Sequence, residues 1–383
     1  MSSADSDSER DPVMPRRSSA SRILRVITSP YYRYRHAKLL HSVRVGLAMM
    51  VSILASTGIN IPHGIWSSVT LLVVIGGLQH HGKIRKKATE RAAGTMLGAT
   101  IGLVLILQQN LLGSLWLTYV LMSVVAGICA WYAIGKGGYV GLLTAITMCI
   151  VAGHGDNQID TGLWRTLNVL IGIAIALAFS FALPLHATYS WRYRLAENLR
   201  GCARTYTHLV NGAPFDADEE IKTFLELNAR LVQLRPLMPW VAKETGVPQA
   251  KLEEIQRVHR SMLSALEMMA TGALAHADIA ARAAFSRQCS AEARTVRAML
   301  LAMARGLRFG GAARFLAPQV VLARVPGGTV PEHLAPELQG PYWLGERMIE
   351  QVDRLRALLL ETEPNWNIER HGTAARVAAA KPG

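Results

Sequence analysis

Three arginines in this sequence open apolar stretches: Arg44, Arg91 and Arg165. A guanidinium stays charged at every physiological pH and holds carboxylates in a bidentate fork. At the mouths of a membrane pathway such groups favour anions. Arg165 opens its segment on the non-basic side, at a helix N-terminus where the backbone dipole is already positive. A cation there needs an offsetting anion, which is either Asp160, Asp156 or a passing substrate carboxylate. Arg44 and Arg91 open segments on the basic side. They either follow the ordinary bias of basic residues or gather anions at an inner mouth. Nearby residues could complete a pathway. Trp66 could form an aromatic wall, and Tyr139 stands at the matching place in a later segment. Thr70, Thr144 and Thr147 carry hydroxyls that bond either their own helix or a ligand. Asn168 lies three residues after Arg165. Glu90, Asp156 and Asp160, with His63 and His154, are the edge groups available for coupling or ion pairing.

Other chemistry finds no support. There is no GxxxxGK[ST] phosphate loop, so no ATPase is expected, and GxGxxG, HExxH and GxSxG are missing too. The chain is therefore not expected to be an enzyme. Cys129, Cys149, Cys202 and Cys289 form no CxxC pattern, so neither a metal, a cofactor nor a disulfide framework is expected. No Asp or Glu falls in the middle of an apolar segment, where proton-coupled pumps usually bury one.

The elements that would position these residues follow from hydropathy. Half of the 383 residues are hydrophobic and mean hydropathy is +0.21, despite a formal net charge of +14. The positive charge flanks apolar stretches, which favours a membrane surface over nucleic acid. Six segments stand out: Val43–Ile61, Ile65–Leu78, Ala92–Leu107, Leu111–Ile134, Tyr139–Gly153 and Leu163–Leu185. A crossing helix needs about 20 apolar residues, so the second, third and fifth are short. Basic residues fill the leader, the Lys83–Arg91 connection, Lys136 and the stretch after the sixth segment, while the intervening loops are neutral or acidic. That alternation predicts six crossings with both termini cytosolic.

The two halves of this region resemble each other. Arg91-x2-Gly94-x3-Gly98 parallels Arg165-x2-Asn168-x3-Gly172, and Thr70-x5-Gly76 parallels Thr147-x5-Gly153. Three crossings separate the copies, so a 3+3 inverted repeat is predicted, or else a chance match of residues common in membrane helices. In such repeats, short segments at matching positions point to the substrate site. Gly94, Gly98 and Gly102 share one helix face and predict close packing.

From Thr188 to Glu361 apolar residues recur at three- and four-residue spacing, which predicts a bundle of amphipathic helices. The expected architecture is all-α: a leader over 1–36, a six-helix transmembrane domain over 37–187, a cytosolic helical bundle over 188–362 and a tail over 363–383. Leader and tail are expected to lack order. His259, beside Arg260, is read as part of a solvated helix face. The stretch Phe309–Pro341 is read as a long loop.

The runs Trp66–Val74 and Lys87–Ala99, then Asp160–Arg165 and Lys243–Pro248, resemble the fusaric acid resistance (FUSC) family of membrane proteins, over roughly residues 37–360. The likeness is strongest to short members with one six-helix set. It implies an inner-membrane protein that exports aromatic or other organic acid anions. It also implies a homodimer, because longer relatives carry two six-helix sets. Asn168 replaces an acidic residue frequent in short relatives, which removes a carboxylate role there. The competing reading is a non-transporting membrane scaffold whose cytosolic helices bind a partner.

Overall fold

The computed structural model describes residues 30–77, 81–135, 138–153, 158–182, 186–211, 217–272, 279–310 and 336–368. All regular structure among them is helical. In chain order the α-helices are α1 (Pro30–Arg35), α2 (Ala37–Gly58), α3 (Ile65–Ile75), α4 (His81–Leu112), α5 (Leu115–Ile134), α6 (Gly138–Ala152) and α7 (Ile159–Ala182). They continue with α8 (Ala187–Val210), α9 (Ala217–Leu234), α10 (Met238–Thr245), α11 (Gln249–Thr271), α12 (Ile279–Phe309) and α13 (Pro336–Trp366).

Four helices, α2, α4, α5 and α7, are long and apolar enough to cross a membrane, and α3 and α6 are apolar but shorter. At 1.5 Å per residue, the 11 residues of α3 and the 15 of α6 reach about 16 and 22 Å, against a hydrocarbon core of about 30 Å. Each short helix lies against a long one, α3 on α7 and α6 on α4, and α4 and α7 also pack together. Glycine permits both approaches. A Cβ on Gly98 of α4 would lie 2.5 Å from the Thr144 carbonyl oxygen, and one on Gly172 of α7 would lie 2.3 Å from that of Ser67. Gly94 and Gly102 meet α6 in the same way, which fulfils the packing role expected for that face. The α2–α3 contact carries a polar knot, in which the Ser52 hydroxyl lies 2.8 Å from Ser67 Oγ and 3.0 Å from Ser68 Oγ. Such pairs replace water as hydrogen-bond partners inside a membrane protein.

Several boundaries differ from expectation. The Lys83–Arg91 connection is helical, because α4 begins at His81 and runs unbroken for 32 residues. Residues 30–35 of the leader form α1, held by ring contacts of Tyr31 and Tyr34 with Tyr193 at 5.5 and 5.2 Å. Helix α13 runs to Trp366, past the expected start of the tail, because the Trp366 ring is buried beside Arg192. It also begins inside the expected loop, at Pro336. The rest of the leader and tail, the remainder of that loop, Lys136, His154 and Asp156 lie outside the described residues.

Helices α8 to α13 share one hydrophobic core, in which α8 is the central element. Its start is capped from a distance. The Glu244 carboxylate, in α10, accepts the Ala187 and Thr188 amides at 3.0 and 2.9 Å and the Thr188 hydroxyl at 2.7 Å. An anion there meets the positive helix end and takes up amides that have no helical partner. One turn on, fully buried Arg192 donates to the Leu307 carbonyl at 2.9 Å and lies between Tyr189 and Trp366, with ring centroids 5.6 and 5.0 Å away. The Lys243–Pro248 segment thus has a structural task. It supplies Glu244, then ends α10 at Gly246, whose φ of +73° suits a residue without a Cβ.

His259 is fully buried rather than solvated. Its Nε2 lies 3.1 Å from Asn198 Nδ2, and burial pushes its pKa down to about 4. The folded state therefore holds it neutral, while the unfolded chain protonates near 6.5. Stability from this group is complete above pH 6.5 and is lost as pH falls toward 4, about 3 kcal/mol in all. Denaturation of His259→Gln should show a weaker loss of stability between pH 6.5 and 4 than the parent. An equal loss would contradict this account.

Candidate functional site

The site is built where α3 ends. The last carbonyls of a helix lack amide partners and carry partial negative charge, so cations collect there. The Gly76 carbonyl meets His41 Nε2 at 3.3 Å, and His41 Nδ1 lies 2.8 Å from Nη2 of Arg44. Since arginine only donates, His41 must accept through Nδ1 and donate through Nε2. Arg44, almost fully buried on α2, is thereby tied to the α3 terminus. Lys87 of α4 donates to the Val73 carbonyl at 3.2 Å, and its ammonium stands 6.0 Å from the centre of the Tyr139 ring. Arg91, one turn further along α4 and buried, lies beside the Tyr139 hydroxyl without closing a hydrogen bond of normal geometry to it. Arg44, Arg91 and Tyr139 are thus brought to one end of α3, together with Lys87 and His41.

The C-terminal turn of α6 is arranged alike. Arg165 of α7 donates through Nη1 to the Ile150 carbonyl. It lies in the second turn of α7, not at its first residue. Its partner among the described residues is a helix-end carbonyl, whereas Asp160 is exposed and makes no ion pair with it there. Asp156 lies outside the described residues. Asn168 is fully buried and donates to the Pro62 and Trp164 carbonyls, both at 2.8 Å. It pins the α2–α3 connection, where Asn60 and His63 take positive φ values of 54° and 61°. Asn168 therefore holds backbone that a side chain must satisfy inside a membrane protein.

The other expected residues divide. Thr144 bonds back to the Val140 carbonyl at 2.9 Å, a helix-internal role. Thr147 is buried with its Cβ facing Gly98, so it packs. Thr70 is fully buried and its hydroxyl has no partner, like that of Thr95 on α4. Those two hydroxyls, like that of Tyr139, have no hydrogen-bond partner among the described residues. Trp66 packs partly buried against the core shared by α2, α3, α4 and α7. Glu90 pairs with Lys86 at 3.6 Å one turn away on α4, a surface pair of small energetic weight.

Sequence reasoning passed over Lys87, His41 and Thr95. Lys87 was concealed because a basic residue beside a membrane segment needs no special reason. Its spacing of one turn from Arg91 was the available signal. No group of three or more metal-ligating side chains occurs among the described residues.

Over 235 residues the chain is 34% identical to the inner membrane protein YeeA of Escherichia coli (strain K12), an alignment covering 61% of this chain and 66% of that protein. The chain thus spans just under two thirds of the length of that relative. The model of the fusaric acid resistance protein family matches residues 38–375, which takes in all six apolar helices and most of the C-terminal core. The chain belongs to the fusaric acid resistance protein family.

Proposed function

We propose that this protein is a multi-pass inner-membrane exporter of small organic, aromatic-type acid anions. Its six apolar helices would be spans in a 3+3 inverted repeat, with both termini and the α8–α13 bundle in the cytosol. The observation that carries the reading is the pair of cation-capped short helices. Val73 precedes Gly76 by three residues and takes Lys87, and Ile150 precedes Gly153 by three and takes Arg165. The same correspondence relates the glycine contacts. Gly98 meets Thr144, three residues before Thr147, and Gly172 meets Ser67, three before Thr70. It also relates the exposed faces, Ile65, Val69 and Leu72 on α3 against Leu142, Ile146 and Cys149 on α6. Inverted copies put one short-helix terminus at each side of the membrane. Such broken elements are where transporters of this plan bind substrate.

In this reading Lys87, Arg91 and Arg44 receive an anion at the cytosolic mouth, and Arg165 receives it on the other side. A carboxylate competes with the helix-end carbonyl for Lys87 and for Arg165, so binding an anion there releases a helix end. Export needs no further energy source: a single negative charge leaving gains about 2.3 kcal/mol per 100 mV of inside-negative potential. The exposed apolar faces of α3 and α6 suit a second copy, which makes a homodimer the proposed assembly. A buried polar cluster with orphan hydroxyls is expensive in a purely structural scaffold.

Efflux of a radiolabelled aromatic acid such as benzoate tests the assignment. Arg165→Ala should slow efflux about tenfold to a hundredfold, the loss of one charge-assisted contact of about 1.5–3 kcal/mol. Arg165→Lys should restore part of it. Unchanged efflux in Arg165→Ala, with the parent active, would remove Arg165 from the pathway.

A further inference from the structure

The C-terminal helices hold a second place built for anions, away from the short-helix termini. Between α8 and α12 lies a cavity of about 280 Å³ lined by Arg204, Thr207, His208, Asn211 and Arg297. Two arginines, a histidine and an asparagine line it, and no carboxylate among the described residues does. Neither Arg204 nor Arg297 makes a hydrogen bond or an ion pair with any described residue. Carboxylates line the next cavity instead, among them Glu219, Glu220 and Glu226. A neighbouring cavity of about 380 Å³, between α8 and α9, shares Arg204 and His208 with the first. There Glu220 stands 3.6 Å from His208 and Glu226 stands 3.2 Å from Arg230.

Further along the same α8–α12 seam stand Arg200, Arg305 and Arg308. They face one another closely enough that Arg308 and Arg305 add to the burial that holds the Arg200 pKa down. Arg308 lies over the Tyr31 ring at 3.8 Å. Arginines thus recur along the seam, with Glu197 as an acidic neighbour of Arg200, and field lines concentrate where a cavity opens onto them. A charge-complementary anion there would make hydrogen bonds at both forks, which Arg is suited to hold.

We infer that the α8–α12 seam contains a binding site for a small oxyanion, a carboxylate or a phosphate, held by Arg204 and Arg297 with His208 and Asn211 completing the donor set. It is separate from Arg165 and from the α3 terminus, and it stands whether or not those groups carry a transported anion. A ligand there would bridge α8, the helix that follows the last apolar segment, to α12.

Hydrogen–deuterium exchange on the full-length protein in detergent gives a local readout, with benzoate and inorganic phosphate as probes against equal ionic strength of sodium chloride. Exchange over residues 204–211 should slow saturably with one probe or both. Benzoate alone would assign carboxylates, phosphate alone phosphorylated ligands, and both the shared oxyanion chemistry. Arg204→Gln and Arg297→Gln should each weaken that protection at least about tenfold, the scale of one lost charged hydrogen bond. Both side chains are exposed, so these variants should keep the parent's unfolding temperature. Arg165→Ala should leave the protection intact. No saturable protection with either probe at tens of millimolar, or protection unchanged in both arginine variants, would overturn the inference.

Discussion

Gly172→Val is expected to leave little folded protein in the membrane and no detectable efflux, while Gly46→Val should behave like the parent. A Cβ at position 172 would sit 2.3 Å from the Ser67 carbonyl oxygen and 3.0 Å from its Cα, both backbone atoms of the facing helix. No rotamer change relieves such a contact, so α3 and α7 must separate. Overpacking usually costs about 1–3 kcal/mol, and displacing one helix backbone from another costs more. At Gly46 an added Cβ meets nothing within 4 Å. Gly98→Val should match Gly172→Val, because its Cβ would lie 2.5 Å from the Thr144 carbonyl oxygen. Size-exclusion profiles of detergent extracts, read beside efflux, separate a packing failure from a transport failure. A well-folded Gly172→Val protein would show that the α3–α7 contact is not as close as described.

Glu244→Ala is expected to be the most damaging single change among the C-terminal helices outside the apolar core. It removes an acceptor of three hydrogen bonds at the start of α8 and leaves the Ala187 and Thr188 amides without their partner. Hydrogen bonds to a charged group contribute about 1.5–3 kcal/mol each. They share one anion, so the whole loss should be about 3–5 kcal/mol and not their sum. Glu244→Gln keeps one carbonyl oxygen and should lose about half as much. Thermal unfolding of both variants checks the order, and Glu244→Ala matching the parent would contradict the capping role. The consequence reaches the membrane region, because α8 begins just after α7 ends and α1, directly before α2, packs on it through Tyr31, Tyr34 and Tyr193. The first and last apolar helices of the membrane region are thus both anchored on α8.

Much of this was legible from the residues, for reasons that can be named. The apolar segments declare themselves because a lipid-facing surface tolerates few charges. Three segments read as short: the structure confines the second and fifth to 11 and 15 residues, while the third belongs to α4, which is long enough to cross a membrane. Glycine spacing announced the α4–α6 contact. The start of α4 escaped, since Lys83–Arg91 is mostly charged and shows only a narrow apolar face of Ile84 and Ala88, and a helix that leaves the apolar layer loses its hydropathy signature while keeping its hydrogen bonds. Arg165 stood out as a cation at a helix start, but its partner was sought among side chains, and the one the structure gives is the Ile150 carbonyl. A helix-end carbonyl has no letter in a sequence. The same holds for Glu244, which acts on residues 56 and 57 positions away. His259 sits beside Arg260 and Glu253 in sequence, yet a helix turns neighbours by about 100°, so charged neighbours do not place it in solvent.

Flux through the purified protein tests the central claim most directly. In proteoliposomes loaded with benzoate, an inside-negative potassium-diffusion potential should accelerate benzoate exit above that of protein-free vesicles, and Arg165→Ala should remove the increment. Exit indistinguishable from protein-free vesicles across a panel of aromatic and aliphatic carboxylates would contradict an anion pathway between the cation-capped ends of α3 and α6.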